Sequence, residues 1–170
     1  IFFVVAYLLA IGGLISSTFH LGRPERALKA FKQWKTSWLS REAWLATGAL
    51  FCMAIYGGGL VFYEVALGFV GILGALLSLA TVYSTSMIYA QLKAIPRWNT
   101  FLTPVLFLVI SLSGGSMLAG LYEVAFIFLT LTGIVQIIYW IKGDTAFLKS
   151  ETNMKSATGL GEKGTVRHFA

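Results

Sequence analysis

Residues 65–92 read VALGFVGILGALLSLATVYSTSMIYAQL, 28 positions without one Asp, Glu, Lys or Arg. At about 1.5 Å per residue, a helix of that length outspans a hydrocarbon core of about 30 Å. Four more charge-free windows flank it, at 1–22, 43–63, 98–122 and 124–141, the shortest holding 18 residues. A helix of that shortest window is about 27 Å long, enough to cross with little to spare. A membrane barrel needs strands of about ten residues in which apolar and polar positions alternate; residues 1–6 and 126–131 show no alternation. The expectation is an all-α integral membrane domain over residues 1–141. It is a bundle of five transmembrane helices near 1–20, 43–63, 65–90, 100–121 and 124–141, followed by a polar flexible loop or tail at 142–170.

The composition of the whole chain agrees. Of its 170 residues 57% are hydrophobic and 12% charged, and the mean hydropathy is +0.78. Soluble domains carry about 25% charged residues, so a soluble enzyme, a nucleic-acid binder and a disordered tail all fit poorly. The net charge of +6 argues for a membrane surface because of where the charges fall. A single cysteine, Cys52, leaves no internal disulfide, no Cys-ligated zinc and no self-contained iron–sulfur cluster to expect. Residue 1 is an Ile inside an apolar run with no basic flank before it, which reads as an internal start and not as a signal peptide.

The charges sort onto one membrane face. Arg23, Arg26, Lys29, Lys32, Lys35 and Arg41 lie in the first loop, Lys93 and Arg97 in the third, and the remaining basic residues in the tail. The opposite face carries only Glu64 and Glu123, each expected in a tight turn. The positive-inside rule places the basic face in the cytoplasm. All five Trp residues lie in or beside the basic segments. Tyr63-Glu64-Val65-Ala66 recurs as Tyr122-Glu123-Val124-Ala125, which reads as two similar turns, since the flanks do not align. Gly68, Gly71, Gly74, Ala75 and Ser78 mark a small-residue packing stripe; Gly57-Gly58-Gly59 and Gly114-Gly115 either loosen their helices or admit a ligand.

No Lys, Arg, Asp, Glu or His lies deep in a span; Gln136 is the strongest hydrogen-bonding side chain there. That counts against a proton-coupled transporter. A membrane haem needs two facing axial ligands, and the only histidines are His20 at a span end and His168 in the tail. The boundary of the first span therefore holds the candidate chemistry. Gly22 and Pro24 end the helix after His20, and Glu42 lies at the far end of the same loop. Oxidising a quinol releases two protons with two electrons, and an imidazole beside a carboxylate at headgroup depth suits that task. Arg23 or Arg26 could hold the developing anion. The bland readings are a His20 that caps helix carbonyls and a Glu42 in the first turn of the second span, after Ser40.

The stretch HLGRPERALKAF at 20–31, followed by LSREAW at 39–44, resembles the membrane anchor subunit of the dimethyl sulfoxide reductase family. So does IYAQLKAIPRWNTFLTPVLF at 88–107 with Gly114-Gly115 after it, and the interval from His20 to Glu42 is similar to the family's. The resemblance covers about residues 8–120. One departure is Leu28, where the family pattern continues Arg-Ala-Phe and this chain brings its Phe31 three residues later.

The resemblance implies a fragment of an eight-helix, haem-free anchor of a respiratory complex in the bacterial cell membrane. Such an anchor exchanges electrons between the quinone pool (menaquinone or ubiquinone) and an iron–sulfur subunit, which leads to a molybdopterin catalytic subunit. It implies His20 and Glu42 as the catalytic pair, with Gly22, Arg23 and Arg26 around the quinone. It also makes Arg26, Lys29, Lys32, Arg97 and Trp98 candidates for partner docking, with contact to phospholipid headgroups the equal alternative for any single Lys, and expects no metal site, haem or iron–sulfur cluster in this chain. Well-known members hold the matching loop on the periplasmic side, against the charge bias here. The tail SATGLGEKGTVRHF at 156–169 is similar to anchors of related sulfite-oxidising complexes, which face the cytoplasm. Within it Gly159-Leu160-Gly161-Glu162-Lys163-Gly164 matches GxGxxG without the strand and helix that give that motif meaning, so it reads as a connecting loop. The competing readings are a passive anchor without a quinone site and a fragment of a multi-span transporter.

Overall fold

The computed structural model describes residues 2–19 and 24–150. It contains five α-helices: α1 (Phe2–Thr18), α2 (Trp38–Phe62), α3 (Gly68–Ala90), α4 (Leu102–Leu118) and α5 (Tyr122–Lys149). There is no strand among the described residues, so the all-α expectation holds. Trp38–Phe62, Gly68–Ala90 and Tyr122–Ala146 are long and apolar enough to cross a membrane. α1 and α4 have 17 residues each, about 25 Å of helix and the lower limit for a span.

The helix bounds depart from the charge-free windows in two places. α2 begins five residues early, taking Arg41 and Glu42 into its first turns, and α5 continues eight residues beyond Ile141. Residues 142–149, expected in the flexible tail, are therefore helical. Charge excludes a residue from the hydrocarbon but not from a helix, so a helix can run on through the headgroup layer.

The chain forms two compact units, one up to Ser84 and one from Thr85. In the first, α1 and α2 run antiparallel. The Tyr7 hydroxyl donates to the Leu50 carbonyl, and Phe3 meets the Tyr56 ring edge-on with centroids 6.1 Å apart. Close approach depends on glycine. A Cβ on Gly57 would lie 2.9 Å from the Phe3 ring, one on Gly71 3.0 Å from Tyr56, and one on Gly74 3.1 Å from the Met53 sulfur. The small-residue stripe of α3 thus packs α2 through Gly71 and Gly74, whereas Gly68 has open space around it. Gly114 and Gly115 also have nothing within 4 Å. Between α1 and α2 an open apolar groove of about 370 Å³ is lined by Phe3, Tyr7, Met53, Val61 and Phe62.

In the second unit α4 packs α5 through Leu106, Val109 and Val135, flanked by Val105 and Tyr139. Pro104 lies in the first turn of α4, where a missing N–H breaks no helical bond. Most large apolar side chains point outward, Phe62, Phe69 and Phe126 among them, as lipid-facing helices require.

The two Tyr-Glu-Val-Ala copies do different jobs. Glu64 adopts φ 55° just past the end of α2, and the Gly59 carbonyl accepts from the N–H groups of Tyr63 at 3.2 Å and Val65 at 3.0 Å. That is a helix ending closed by a left-handed residue, here a glutamate. Glu123 instead lies in the first turn of α5, favourable at the positive end of the helix dipole. The left-handed residue of that second turn is Gly120, at φ 75°.

Candidate functional site

The antiparallel register of α1 and α2 sets which of their residues share a level. Phe3 meets α2 at Gly57 and Tyr7 meets it at Leu50. Helices of equal rise keep that pairing, so the end of α1 at Thr18 lies level with roughly residues 39–42 of α2. Glu42 is there, half-buried in the second turn. The first-turn reading of Glu42 is corrected: α2 starts at Trp38 after Ser37, whose backbone is extended at φ −111° and ψ 124°, and no acid occupies the first turn. His20, Gly22 and Arg23 lie outside the described residues. Arg26 falls in the 3-10 helix Pro24–Gln33, which leads into the turn at 34–36.

That turn is clamped to α2 by a cluster of cation and aromatic rings. Arg41 Nε donates to the Trp34 carbonyl at 3.0 Å and its Nη2 to the Lys35 carbonyl at 2.8 Å. The guanidinium lies 4.3 Å from the centre of the Trp38 ring, a cation–π contact. Trp38 meets Tyr83 of α3 edge-on at 5.9 Å. Trp44 Nε1 donates to the Phe31 carbonyl at 3.0 Å, and the two rings pack edge-to-face at 5.3 Å. Ser40 is fully buried at the centre of this stretch, its hydroxyl without a partner. The loop that carries the candidate residues therefore has a fixed end next to Glu42.

Sequence reasoning counted Arg41 among the loop cations and missed this role. The available signal was its place three residues from both Trp38 and Trp44, a step that brings side chains together on a helix.

In the second unit the loop between α3 and α4 is equally well held. Arg97 pairs with Asp144 of α5, and its side chain lies over Gly143, where a Cβ would come 3.0 Å from Arg97 Cγ. Trp98 packs edge-on to Tyr89 at 5.3 Å, and Tyr89 lies 5.6 Å from Phe107. Asn99 Nδ2 donates to the Ala90 carbonyl at 2.6 Å and Thr103 Oγ1 to the Trp98 carbonyl at 2.7 Å. Lys142 Nζ stands 5.6 Å from the centre of the Phe101 ring. The structure thus joins Arg97 and Trp98 into one rigid corner, and Asp144 is the residue that sequence reasoning overlooked there. Lys29 and Lys32 are exposed on the 3-10 segment. Among the described residues no group of three His, Cys, Asp or Glu could hold a metal ion.

Comparison with known proteins matches residues 1–143 to the family described as DMSO reductase anchor subunit (DmsC). The chain is 34% identical over 190 aligned residues to the C subunit of sulfite dehydrogenase from Allochromatium vinosum, an alignment covering 96% of this chain and 58% of that relative. The chain therefore spans little more than half the length of the curated relative it matches. No solved structure matches it.

Proposed function

The chain belongs to the DMSO reductase anchor-subunit family, and from that premise we propose that it exchanges electrons between a membrane quinone and an iron–sulfur partner subunit. That partner would lead to a molybdopterin catalytic subunit. His20 and Glu42 take up or deliver the two protons of the quinol, and Gly22, Arg23 and Arg26 shape the pocket and hold the quinone oxygen. The observation that supports this most is the register of α1 and α2, which brings the end of the helix preceding His20 to the level of Glu42. A carboxylate at that level, with an imidazole two residues beyond the end of α1 in the sequence, suits release of both quinol protons toward the headgroup layer. The Arg41 clamp holds the far end of that loop, at Trp34 and Lys35, against α2.

Electrons leave toward the partner subunit, and the corner built by Arg97 and Trp98 is the docking surface proposed for it. Arg97 and Trp98 are each partly exposed, and tryptophan and arginine are the residue types that interfaces favour. The charge bias favours a cytoplasmic basic face in a bacterial cell membrane, and the relative's name favours sulfite as the terminal substrate. The test is the His20→Ala variant of the full-length chain in its complex. Assembly unchanged with quinol-linked turnover lost supports the reading; unchanged turnover returns the chain to a passive anchor.

A further inference from the structure

The segment Pro24–Gln33 is a ten-residue 3-10 helix, long for its kind, since runs beyond three or four residues are uncommon. Its sequence carries the period of that helix. Arg23, Arg26, Lys29, Lys32 and Lys35 recur at every third position, and Leu28, Phe31 and Trp34 recur at every third position one place earlier. With about three residues per turn, side chains at i and i+3 eclipse and stand about 6 Å apart along the axis. An α-helix would instead turn each row by about 60° per step and dissolve it. Conformation and sequence thus agree over the described 3-10 turns, where Lys29 and Lys32 share one row and Leu28 and Phe31 another; Trp34 and Lys35 follow in the turn that continues from it.

The lysines face outward, and so do the two ends of the apolar row. Lys29, Lys32 and Lys35 are exposed, Leu28 is 80% exposed and Trp34 58% exposed, while Phe31 turns onto the Trp44 ring. Arg41 is occupied by the Trp34 and Lys35 carbonyls and the Trp38 ring, whereas Lys29, Lys32 and Lys35 are exposed. The segment enters α2, a helix of membrane-crossing length, and so is tethered at the bilayer boundary. Tryptophan beside lysine at that depth matches the headgroup region. A basic side chain held near an anionic membrane surface contributes about 1 kcal/mol of attraction to it.

We propose that this segment is an amphipathic strap that lies in the membrane–water interface and binds anionic phospholipid. Leu28 and Trp34 enter the acyl boundary, and the lysine row lies against the headgroup phosphates. Lys29 and Lys32, which the sequence offers to a partner subunit, are then lipid ligands. The strap holds whether or not a quinone reacts at His20.

The test uses the full-length chain with whatever subunits it carries, purified in neutral detergent and titrated with phosphatidylglycerol or phosphatidylcholine under native mass spectrometry. The wild type should bind phosphatidylglycerol in preference, and more weakly as salt is raised. The combined Lys29→Gln, Lys32→Gln and Lys35→Gln variant should bind it on the order of 100-fold more weakly, and the matching Lys→Arg variant should restore binding. Equal binding of the two lipids, or binding indifferent to salt, overturns the strap even if the glutamine variant does not fold. So does a glutamine variant that keeps its phosphatidylglycerol and releases a protein subunit, because the row would then be a protein docking surface.

Discussion

The Tyr7 hydroxyl of α1 donates to the Leu50 carbonyl of α2, a bond between residues 43 apart in the chain. It fixes the register that brings the end of α1 level with Glu42, and it does so in an apolar layer where few alternative partners exist. Tyr7→Phe should cost about 0.6–1.7 kcal/mol, the range of interhelical hydrogen bonds in membranes. Denaturant titration of the full-length protein in detergent measures it, and an unchanged midpoint would show that the bond does not hold the register.

Glycine contacts between α2 and α3 make a sharper contrast. Gly74→Val should destabilise by about 1–3 kcal/mol through overpacking, because even its Cβ would lie within 3.1–3.3 Å of Met53 and Cys52. Gly68→Ala, in open space on the same helix, should be neutral or slightly stabilising. Thermal unfolding of the two variants side by side checks the assignment of the packing face.

Glu64 occupies a left-handed backbone that glycine adopts without strain. Glu64→Gly should therefore stabilise by about 0.5–1 kcal/mol or leave stability unchanged. Gly120→Ala, at φ 75°, should destabilise by about 1 kcal/mol. Opposite signs at the two turns, read from unfolding midpoints, are the expected outcome.

The Arg97–Asp144 pair is partly open to solvent, with side chains 36% and 69% exposed. Its direct contribution should stay below about 1 kcal/mol and fall with added salt. A double-mutant cycle of Arg97→Gln and Asp144→Asn measures this coupling. Under the proposed docking at this corner, the same variants should weaken retention of a partner subunit more than they weaken the fold, since the pair holds the corner that carries Trp98.

Much of this architecture is legible without coordinates, and the failures have physical reasons. Charge-free windows find five helices because hydrocarbon excludes Asp, Glu, Lys and Arg. They misplace helix ends for the same reason, since Arg41, Glu42, Lys142 and Asp144 are compatible with helix once they reach the headgroups. Identical letters at Glu64 and Glu123 mislead because a helix ending and a helix beginning tolerate the same residue through different backbone conformations. The 3-10 period of Lys29, Lys32 and Lys35 stays hidden from a search tuned to periods of 2 and 3.6. Arg41 and Asp144 are missed because a charge in a loop looks solvated until its partners, the Trp34 and Lys35 carbonyls and the Arg97 guanidinium, are seen to converge on it. Of the candidate quinone site, Glu42 lies half-buried in the second turn of α2 and Arg26 in the 3-10 segment; His20, Gly22 and Arg23 lie outside the described residues.

The most direct test of the proton-exchange reading compares His20→Ala and Glu42→Gln variants of the full-length chain, assembled with its partner subunits. Turnover is measured once with a quinol and once with a soluble redox dye that reaches the partner subunits without the anchor. The account predicts intact assembly and dye-linked turnover. Quinol-linked turnover should fall about 100-fold or more for His20→Ala and about tenfold or more for Glu42→Gln. Quinol-linked turnover at the wild-type rate in a fully assembled His20→Ala complex would contradict it.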